Sequence, residues 1–219
     1  MKEHAPGVFQ LKGLNNAINV YLVDDVLIDA ATKLARRRIM RQVEDRPLSL
    51  LALTHVHPDH QGSAAAICEA RAIPLACHEA DVDAMEGRAP VQQAHQSNPV
   101  NRAIELMWTG PPHPVARPLT EGDEVAGFRV IHAPGHAPGE VIFFRESDRV
   151  AICGDVVNNV DFLTGRIRVG EPPAIFTADP EQNRGSIRKL ADLEPSLVCP
   201  GHGPPFRDLD GLHELVAGF

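Results

Sequence analysis

Short apolar runs alternate with helical segments along both halves of this 219-residue chain. The run at 48–53 is almost entirely apolar, which is typical of a strand buried on both faces. An Ala-rich helical segment at 61–71 and another short strand at 73–77 follow it. The second half has further apolar runs of strand length, at 128–132, 141–145, 150–153 and 196–199. Strands that alternate with helices predict an α/β fold.

The remaining segments extend this pattern. Two strand-like runs, 19–23 and 26–29, flank a predicted turn at Asp24-Asp25. Further helices are predicted at 32–44, 79–86, 100–108 and 179–193. The last of these begins with Asp179 as its N-cap and a proline at its first helical position.

The composition limits the classes of partner. Apolar residues make up 43% of the chain and charged residues 23%, which indicates a soluble globular protein. No run approaches the length of a membrane span, and the first residues show no apolar stretch like that of a signal peptide. The net charge of −8 is unsuited to binding a phosphate backbone. We therefore expect a cytoplasmic protein that binds a small molecule and neither nucleic acid nor a membrane.

A histidine-rich motif directly follows the first buried strand, with the sequence Thr54-His55-Val56-His57-Pro58-Asp59-His60. Alternate residues of an extended chain point to the same side, so His55 and His57 can meet at one metal ion. Pro58 keeps His57 extended, because the residue before a proline avoids the helical region. The chain then turns, and Asp59 and His60 can face a second ion. Neutral imidazole and carboxylate groups are the ligands expected for zinc or iron.

Three further candidate ligands follow later strands. His136, Asp155 and His202 each lie where an apolar run gives way to Gly or Pro. In open α/β sheets, ligands bind outside the carboxyl ends of the strands. Several strand ends that supply the same chemistry therefore indicate one metal site, to which five of the eleven histidines contribute.

On these motifs, which span residues 54 to 203, the sequence resembles the metallo-β-lactamase-fold superfamily. The resemblance implies a four-layer αββα sandwich, a single domain over residues 1–219 with two similar halves, roughly 1–110 and 111–219. It implies a first metal site formed by His55, His57 and His136, and a second formed by Asp59, His60 and His202. Asp155 resembles the carboxylate that bridges the two ions.

The resemblance also implies hydrolysis. Two divalent ions, about 3.5–4 Å apart, would hold a hydroxide that attacks a small ester, thioester or related acyl substrate. Zinc is the first expectation, with iron and manganese as the other candidates. Asp59 would also orient this nucleophile and relay its proton, although a role as a ligand alone is an equal alternative. A homodimer is left open.

Departures from particular branches of the family narrow the function. Asp155 argues against β-lactamase activity, because true β-lactamases of this fold typically lack the bridging aspartate. Lactonases of the family usually place a tyrosine beside the metals, whereas Tyr21 lies on an early strand where a core position is expected. The chain is most similar to the glyoxalase-II-like branch, but only 17 residues follow His202, too few for that branch's helical substrate domain. Glu140 stands where thioesterases of that branch often have histidine.

A redox enzyme is the main alternative. Persulfide dioxygenases resemble this site but use one iron held by two histidines and one carboxylate, which here would be His55, His136 and Asp155. One iron per chain with oxygen uptake would contradict the hydrolase, and two zinc ions would contradict the dioxygenase.

Substrate contacts are expected in the irregular loop at 156–178, because it follows Asp155 and is rich in Gly and Pro. Asn158, Arg166 and Arg168 are its candidates for contacts with polar or anionic substrate groups. Trp108 is a candidate for the mouth of the site, with a core position as the alternative.

Overall fold

The computed structural model describes residues 1–13, 17–91 and 99–219. Within these ranges the strands form two sheets. The first sheet contains β1 (Lys2–Ala5), β2 (Val8–Gln10), β3 (Tyr21–Val23), β4 (Val26–Ile28), β5 (Leu50–Ala52), β6 (Leu75–His78) and β7 (Arg117–Leu119). The second contains β8 (Glu124–Val125), β9 (Phe128–His132), β10 (Val141–Arg145), β11 (Val150–Gly154) and β12 (Leu197–Pro200). The helices are α1 (Arg36–Gln42), α2 (Pro58–Gln61), α3 (Ala64–Arg71), α4 (Val82–Met85), α5 (Pro99–Trp108), α6 (Pro180–Asp192) and α7 (Asp210–Ala217).

The strand order of each sheet brings several carboxyl ends to one edge. In the first sheet, β1 to β7 lie in sequence order, antiparallel from β1 to β4 and parallel from β4 to β7. The second sheet has the order β12-β11-β10-β9-β8, and only the β11–β12 pair is parallel. The carboxyl ends of parallel neighbouring strands lie at the same edge of the sheet. The residues that follow β4 and β5 therefore lie close together, as do those that follow β11 and β12.

The core is divided into three layers of buried side chains. One lies between the sheets and includes Tyr21 and Phe143. A second joins the outer face of the first sheet, with Leu22, to α1 and α3. The third joins the outer face of the second sheet, with Phe144, to α6 and α7. Neighbouring residues of one strand face opposite layers, as strand geometry requires. The predicted four-layer αββα sandwich is confirmed.

The helices show how local sequence sets their ends. The Asp179 side chain accepts a hydrogen bond from the Gln182 backbone N at 3.0 Å, so the predicted N-cap of α6 is present. The helix predicted at 61–71 is divided, because α2 ends at Gln61 and α3 begins at Ala64. The helix predicted at 32–44 begins as a 3-10 turn at Lys33–Ala35 before α1.

Close backbone contact at two glycines brings α5 next to α2. A Cβ on Gly62 would lie 2.4 Å from the Trp108 carbonyl oxygen, and one on Gly110 would lie 2.1 Å from the Gly62 carbonyl oxygen. Only glycine allows this approach. The end of α5, with Trp108, is thereby held beside the segment that carries the histidine motif.

Several elements were not predicted from the sequence: β1, β2, β7, β8 and α7. The first sheet includes β7, so it extends beyond residue 110, and the second begins at β8. No helix within the described ranges is long and apolar enough to cross a bilayer.

Candidate metal centre

The candidate ligands lie at one edge of the two sheets. His55 and His57 follow β5, and the short helix α2 carries Asp59 and His60. His136 follows β9 in the second sheet. Two further residues, Asp155 after β11 and His202 after β12, come from the parallel pair of that sheet. The structure thus brings all seven predicted ligands to the same place.

A first cluster is formed by His55, His57 and His136, all of them buried. One ring nitrogen of each lies within 4.8 Å of those of the other two, which a single ion can span. The closest approach is 2.9 Å, between His57 Nδ1 and His136 Nε2. The backbone of His57 is extended, with ψ at 162°, as predicted for a residue that precedes a proline.

A second cluster is formed by Asp59, His60 and His202. Their ligand atoms also lie within 4.8 Å of one another, and His202 Nε2 is 3.4 Å from Asp59 Oδ2. Asp59 is partly exposed, whereas the two histidines are buried. The first turn of α2 supplies Asp59 and His60, so this short helix sets their mutual position.

Asp155 lies between the two clusters. Its Oδ2 is 3.5 Å from His136 Nε2 of the first cluster and 3.1 Å from His202 Nε2 of the second. Its Oδ1 is 3.5 Å from His60 Nε2. A carboxylate in this position can offer one oxygen to each of two cations.

Several ligand atoms are buried without a hydrogen-bond partner among the described residues: His55 Nε2, His57 Nε2, His60 Nε2 and Asp155 Oδ1. A buried polar atom without a partner costs free energy, and native proteins rarely tolerate several together. These atoms face one another across the clusters, and nitrogen and carboxylate oxygen are suitable donors for zinc or iron. The residues therefore fit a metal site.

The opposite ring nitrogen of most of these histidines is held by a second residue. His60 Nδ1 donates to Asp29 Oδ2 at 2.9 Å, and His136 Nδ1 lies 3.2 Å from Thr177 Oγ1. His55 Nδ1 lies 3.1 Å from Thr54 Oγ1, and His202 Nδ1 contacts the Ala17 carbonyl oxygen. Such contacts fix the tautomer and leave Nε2 free to bind metal.

Two buried carboxylates support the motif from behind. Asp29 accepts hydrogen bonds from the Thr54 backbone N at 2.8 Å and from Thr54 Oγ1 at 2.9 Å, as well as from His60. Glu140 accepts from the Asp155 backbone N at 3.1 Å, and its Oε2 lies 3.2 Å from His55 Nδ1 without an aligned hydrogen bond. Both hold residues of the candidate site in place.

The first cluster is neutral at pH 7. Burial, with a further contribution from the neighbouring His136, lowers the pKa of His57 to about 3. Burial likewise lowers the pKa of His136 to about 4. Neutral imidazole is the form that binds a metal, so this cluster needs no deprotonation.

In the second cluster, nearby carboxylates raise the pKa of the histidines, in spite of their burial. Burial lowers the pKa of His202, but Asp155 and Asp59 outweigh it and raise the pKa to about 10. The pKa of His60 is also raised well above its usual value, because Asp29 and Asp155 outweigh burial. Burial raises the pKa of Asp59, but the hydrogen bond with His202 and the charge of His60 bring it down to about 2.

The family is decided by a match to a sequence model. The model described as "Metallo-beta-lactamase superfamily" matches residues 15–202 of the chain. The chain belongs to this superfamily.

Relatives within the superfamily resemble it over most of their length. "Probable metallo-hydrolase YflN" of Bacillus subtilis is 31% identical over 82% of this chain and 75% of its own length. "Hydroxyacylglutathione hydrolase GloC" of Haemophilus influenzae is 28% identical over 76% and 74%, respectively. The crystal structure of TTHA1623 "in a di-iron-bound form" has a TM-score of 0.69 and 33% identity, and covers 91% of this chain and 94% of its own.

A cavity of about 330 Å³ opens over the candidate ligands. Its lining includes Asn158 and Trp108 from the sequence-based candidates. Arg166 and Arg168 are exposed and are not among its lining residues. Tyr21 is buried in the core, where its hydroxyl donates to the Pro200 carbonyl oxygen at 2.8 Å, so it lies away from the cavity lining.

Sequence reasoning missed other residues that hold this superfamily site together. Asp29 follows β4 as His55 follows β5, which is the signal that could have found it. Asp81 is buried and accepts from the backbone N of Val56 at 2.9 Å and of Gly139 at 2.8 Å. These contacts join the loop after β5 to the loop after β9, and no spacing in the sequence indicates them.

Proposed function

We propose that the chain is a metal-dependent hydrolase that cleaves a small ester, thioester or related acyl substrate. Its membership in the metallo-beta-lactamase superfamily and its metallo-hydrolase relatives support the reaction class. The observation that carries the proposal is the position of Asp155, which is within 3.5 Å of ligand atoms from both clusters. A thioesterase is compatible with the name of the Haemophilus influenzae relative.

In this proposal the chain holds two divalent ions. His55, His57 and His136 would hold the first ion, Asp59, His60 and His202 would hold the second, and Asp155 would offer a carboxylate oxygen to each. When bound, such a pair supplies a hydroxide at neutral pH and polarises the scissile carbonyl. Zinc is the metal we propose, but the di-iron form of a structural relative makes iron the alternative to measure.

Asp59 is the residue that we propose to orient the nucleophile. Its pKa of about 2 keeps it ionised at neutral pH, so it can accept a proton. It lines the cavity and is partly exposed, whereas the three ligands of the first cluster are buried. A proton taken from the nucleophile can then pass to the leaving group.

The second donor cluster supports a metal pair over the single iron of a dioxygenase. A single ion would bind His55, His136 and Asp155. The side chains of Asp59, His60 and His202 would then lie close together with no metal ion to bind. The ligand atoms of this second cluster lie within 4.8 Å of one another, and an enzyme with a single iron would not use them.

The two sheets also support a single domain. The layer between them contains Val23 and Ile28 from the first sheet and Phe143 and Ile152 from the second. Neither half could keep this shared layer buried on its own, so we propose that residues 1–219 fold as one unit.

Variants of one ligand from the first cluster and of the bridging residue test the function. We expect His57→Ala and Asp155→Ala each to abolish hydrolysis of a panel of thioesters, lactones and phosphodiesters while the protein still folds. Matched controls are His213→Ala and Asp45→Ala, which change exposed residues of the same types. Unchanged rates in both site variants would refute the assignment, and oxygen uptake with one iron per chain would establish the dioxygenase instead.

A further inference from the structure

The walls of the cavity over the metal ligands are mainly apolar. Ile18, Trp108, Phe162 and Phe176 contribute to them, from four different segments of the chain. The polar lining consists of the ligands themselves, such as Asp59 and His202, together with Asn158. The reacting carbonyl of a substrate must lie at the ligands, so the groups next to that carbonyl lie against these apolar walls.

No lysine or arginine is found among the described residues that line this cavity. The two arginines of the adjacent loop, Arg166 and Arg168, are exposed outside it. A carboxylate on the substrate would therefore be buried against apolar walls without a cation of the protein to pair with it. Burial of an unpaired charge is costly, so the walls discriminate against anionic acyl groups.

Asn158 adds a polar anchor. It is 1% exposed, and neither its Nδ2 nor its Oδ1 has a hydrogen-bond partner among the described residues. Its backbone is fixed by the pairing with Gly170, so the side chain is held where it lines the cavity. A buried amide without partners is unfavourable, and a substrate that hydrogen-bonds to it removes this cost.

We propose that the site selects substrates with an uncharged, apolar acyl group, aliphatic or aromatic, which packs against Trp108, Phe162 and Phe176 while Asn158 hydrogen-bonds near the scissile carbonyl. The proposal rests on the hydrolase function proposed above. It names the acyl side of the substrate and not the leaving group. A volume of about 330 Å³ is at the lower end for ligand pockets, which suits a compact acyl group.

Exposed apolar residues continue from the cavity along its rim. Phe162 is 51% exposed, and Ile167, which lines an adjacent hollow together with Phe162 and Ala17, also presents its side chain to solvent. Large apolar side chains exposed together often mark a binding surface. Phe162 also contacts the ring of His202, with a centroid distance of 5.1 Å, so the rim reaches the metal ligands.

A thioester series with one leaving group tests the proposal. We expect kcat/KM of the metal-loaded protein to rise from acetyl to butanoyl to hexanoyl N-acetylcysteamine, by about fourfold for each methylene that enters the cavity. Phenylacetyl should be a good substrate. Succinyl should be poorer than butanoyl by at least about tenfold, because its carboxylate meets the apolar walls.

Variants assign the preference to the cavity. Phe176→Ala should reduce the ratio of hexanoyl to acetyl kcat/KM, and Phe176→Leu provides a milder change if the first variant does not fold. Asn158→Ala should lower kcat/KM for all acyl groups by a similar factor. Leu163→Ala is the control, because Leu163 is 98% exposed on the same loop and does not line the cavity.

A binding measurement gives a readout that needs no turnover. Trp108 is the only tryptophan of the chain and lines the cavity, so its fluorescence reports on occupancy. Titration with hexanamide or phenylacetamide should change the Trp108 emission at concentrations well below those needed with acetamide. Phe176→Leu should weaken the response to hexanamide.

The outcomes separate the two proposals. If protein that holds its metal hydrolyses no thioester of the series and no ester or lactone, the hydrolase function fails and the substrate class fails with it. If acetyl, hexanoyl and succinyl thioesters are hydrolysed with similar kcat/KM, the hydrolase stands and the inference about the acyl group is overturned. A rate that depends on the leaving group but not on the acyl group overturns it equally.

Discussion

Asp29→Ala removes a carboxylate that holds the histidine motif without touching the proposed metal directly. Asp29 is 2% exposed and accepts hydrogen bonds from the Thr54 backbone N at 2.8 Å and from His60 Nδ1 at 2.9 Å. In the metal-free protein its third donor, the Thr54 hydroxyl, can donate instead to His55 Nδ1, which lies 3.1 Å away. The substitution thus leaves two buried donors without an acceptor.

The expected loss of stability follows from these two donors. Each buried donor without an acceptor costs about 1–3 kcal/mol, so the two together cost about 2–6 kcal/mol. For a chain of this length, 1 kcal/mol shifts Tm by about 2–4 °C, and a central value of about 4 kcal/mol lowers Tm by about 8–16 °C. His60 also loses the partner that orients its ring, so we expect its metal site to bind about 10–100-fold more weakly.

Calorimetric unfolding of the metal-free protein measures the first effect, and metal titration measures the second. Asp24→Ala is the matched control: Asp24 also has a positive φ, 51° against 63° for Asp29, but its side chain is exposed. The two variants therefore share the backbone cost and differ in the buried hydrogen bonds. Equal Tm values for Asp24→Ala and Asp29→Ala would refute this reasoning.

Further predictions concern one helix cap, one buried carboxyl and the second metal cluster. Asp179→Ala should lower the free energy of unfolding by about 1 kcal/mol, measured by urea denaturation, because α6 loses its N-cap; no change would contradict the cap. Burial raises the pKa of Glu140 well above its usual value, and Asp155 adds to this, which favours the protonated carboxyl. Glu140→Gln should therefore preserve stability to within about 1 kcal/mol in the same assay, and a larger loss would show that Glu140 is ionised. The raised pKa values of His60 and His202 mean that both rings hold a proton at pH 7, so metal binding must release protons. Calorimetric titrations in buffers of different ionisation enthalpy should show this release, and identical heats would contradict it.

The positions of the candidate ligands were predictable because they follow from strand geometry. Each candidate ligand group follows an apolar run, and parallel neighbours deliver their carboxyl ends to one edge of a sheet. His55, His136 and His202 are therefore found by the same reasoning, even though up to 147 residues separate them along the chain. The fold class follows from the same alternation of apolar runs and helices.

Asp29 directly follows an apolar run, as the candidate ligands do, but nothing local distinguishes Asp81 from a surface acid. Asp29 and Asp81 are two of 29 acidic residues, and their burial results from contacts between distant segments. Asp81, for example, accepts a backbone N–H from Gly139 at a separation of 58 residues. Arg166 and Arg168 show the opposite case: a loop that passes near the ligands can still direct its charged residues to solvent.

The edge strands were missed for a different reason. β1 has the sequence Lys-Glu-His-Ala and is mostly exposed, so it has no apolar run to reveal it. It is a strand because it pairs with β2, and Lys2 lies opposite Gln10. Pairing of this kind depends on the neighbouring strand more than on the strand's own residues.

We propose that the two clusters hold two metal ions bridged by Asp155. Elemental analysis of the purified protein, for zinc, iron and manganese together and expressed per chain, tests it most directly. We expect two metal ions per chain in the native protein and a lower content in Asp155→Ala, with Asp45→Ala unchanged. A single ion per chain in the native protein, or no metal after loading, would contradict the dinuclear site.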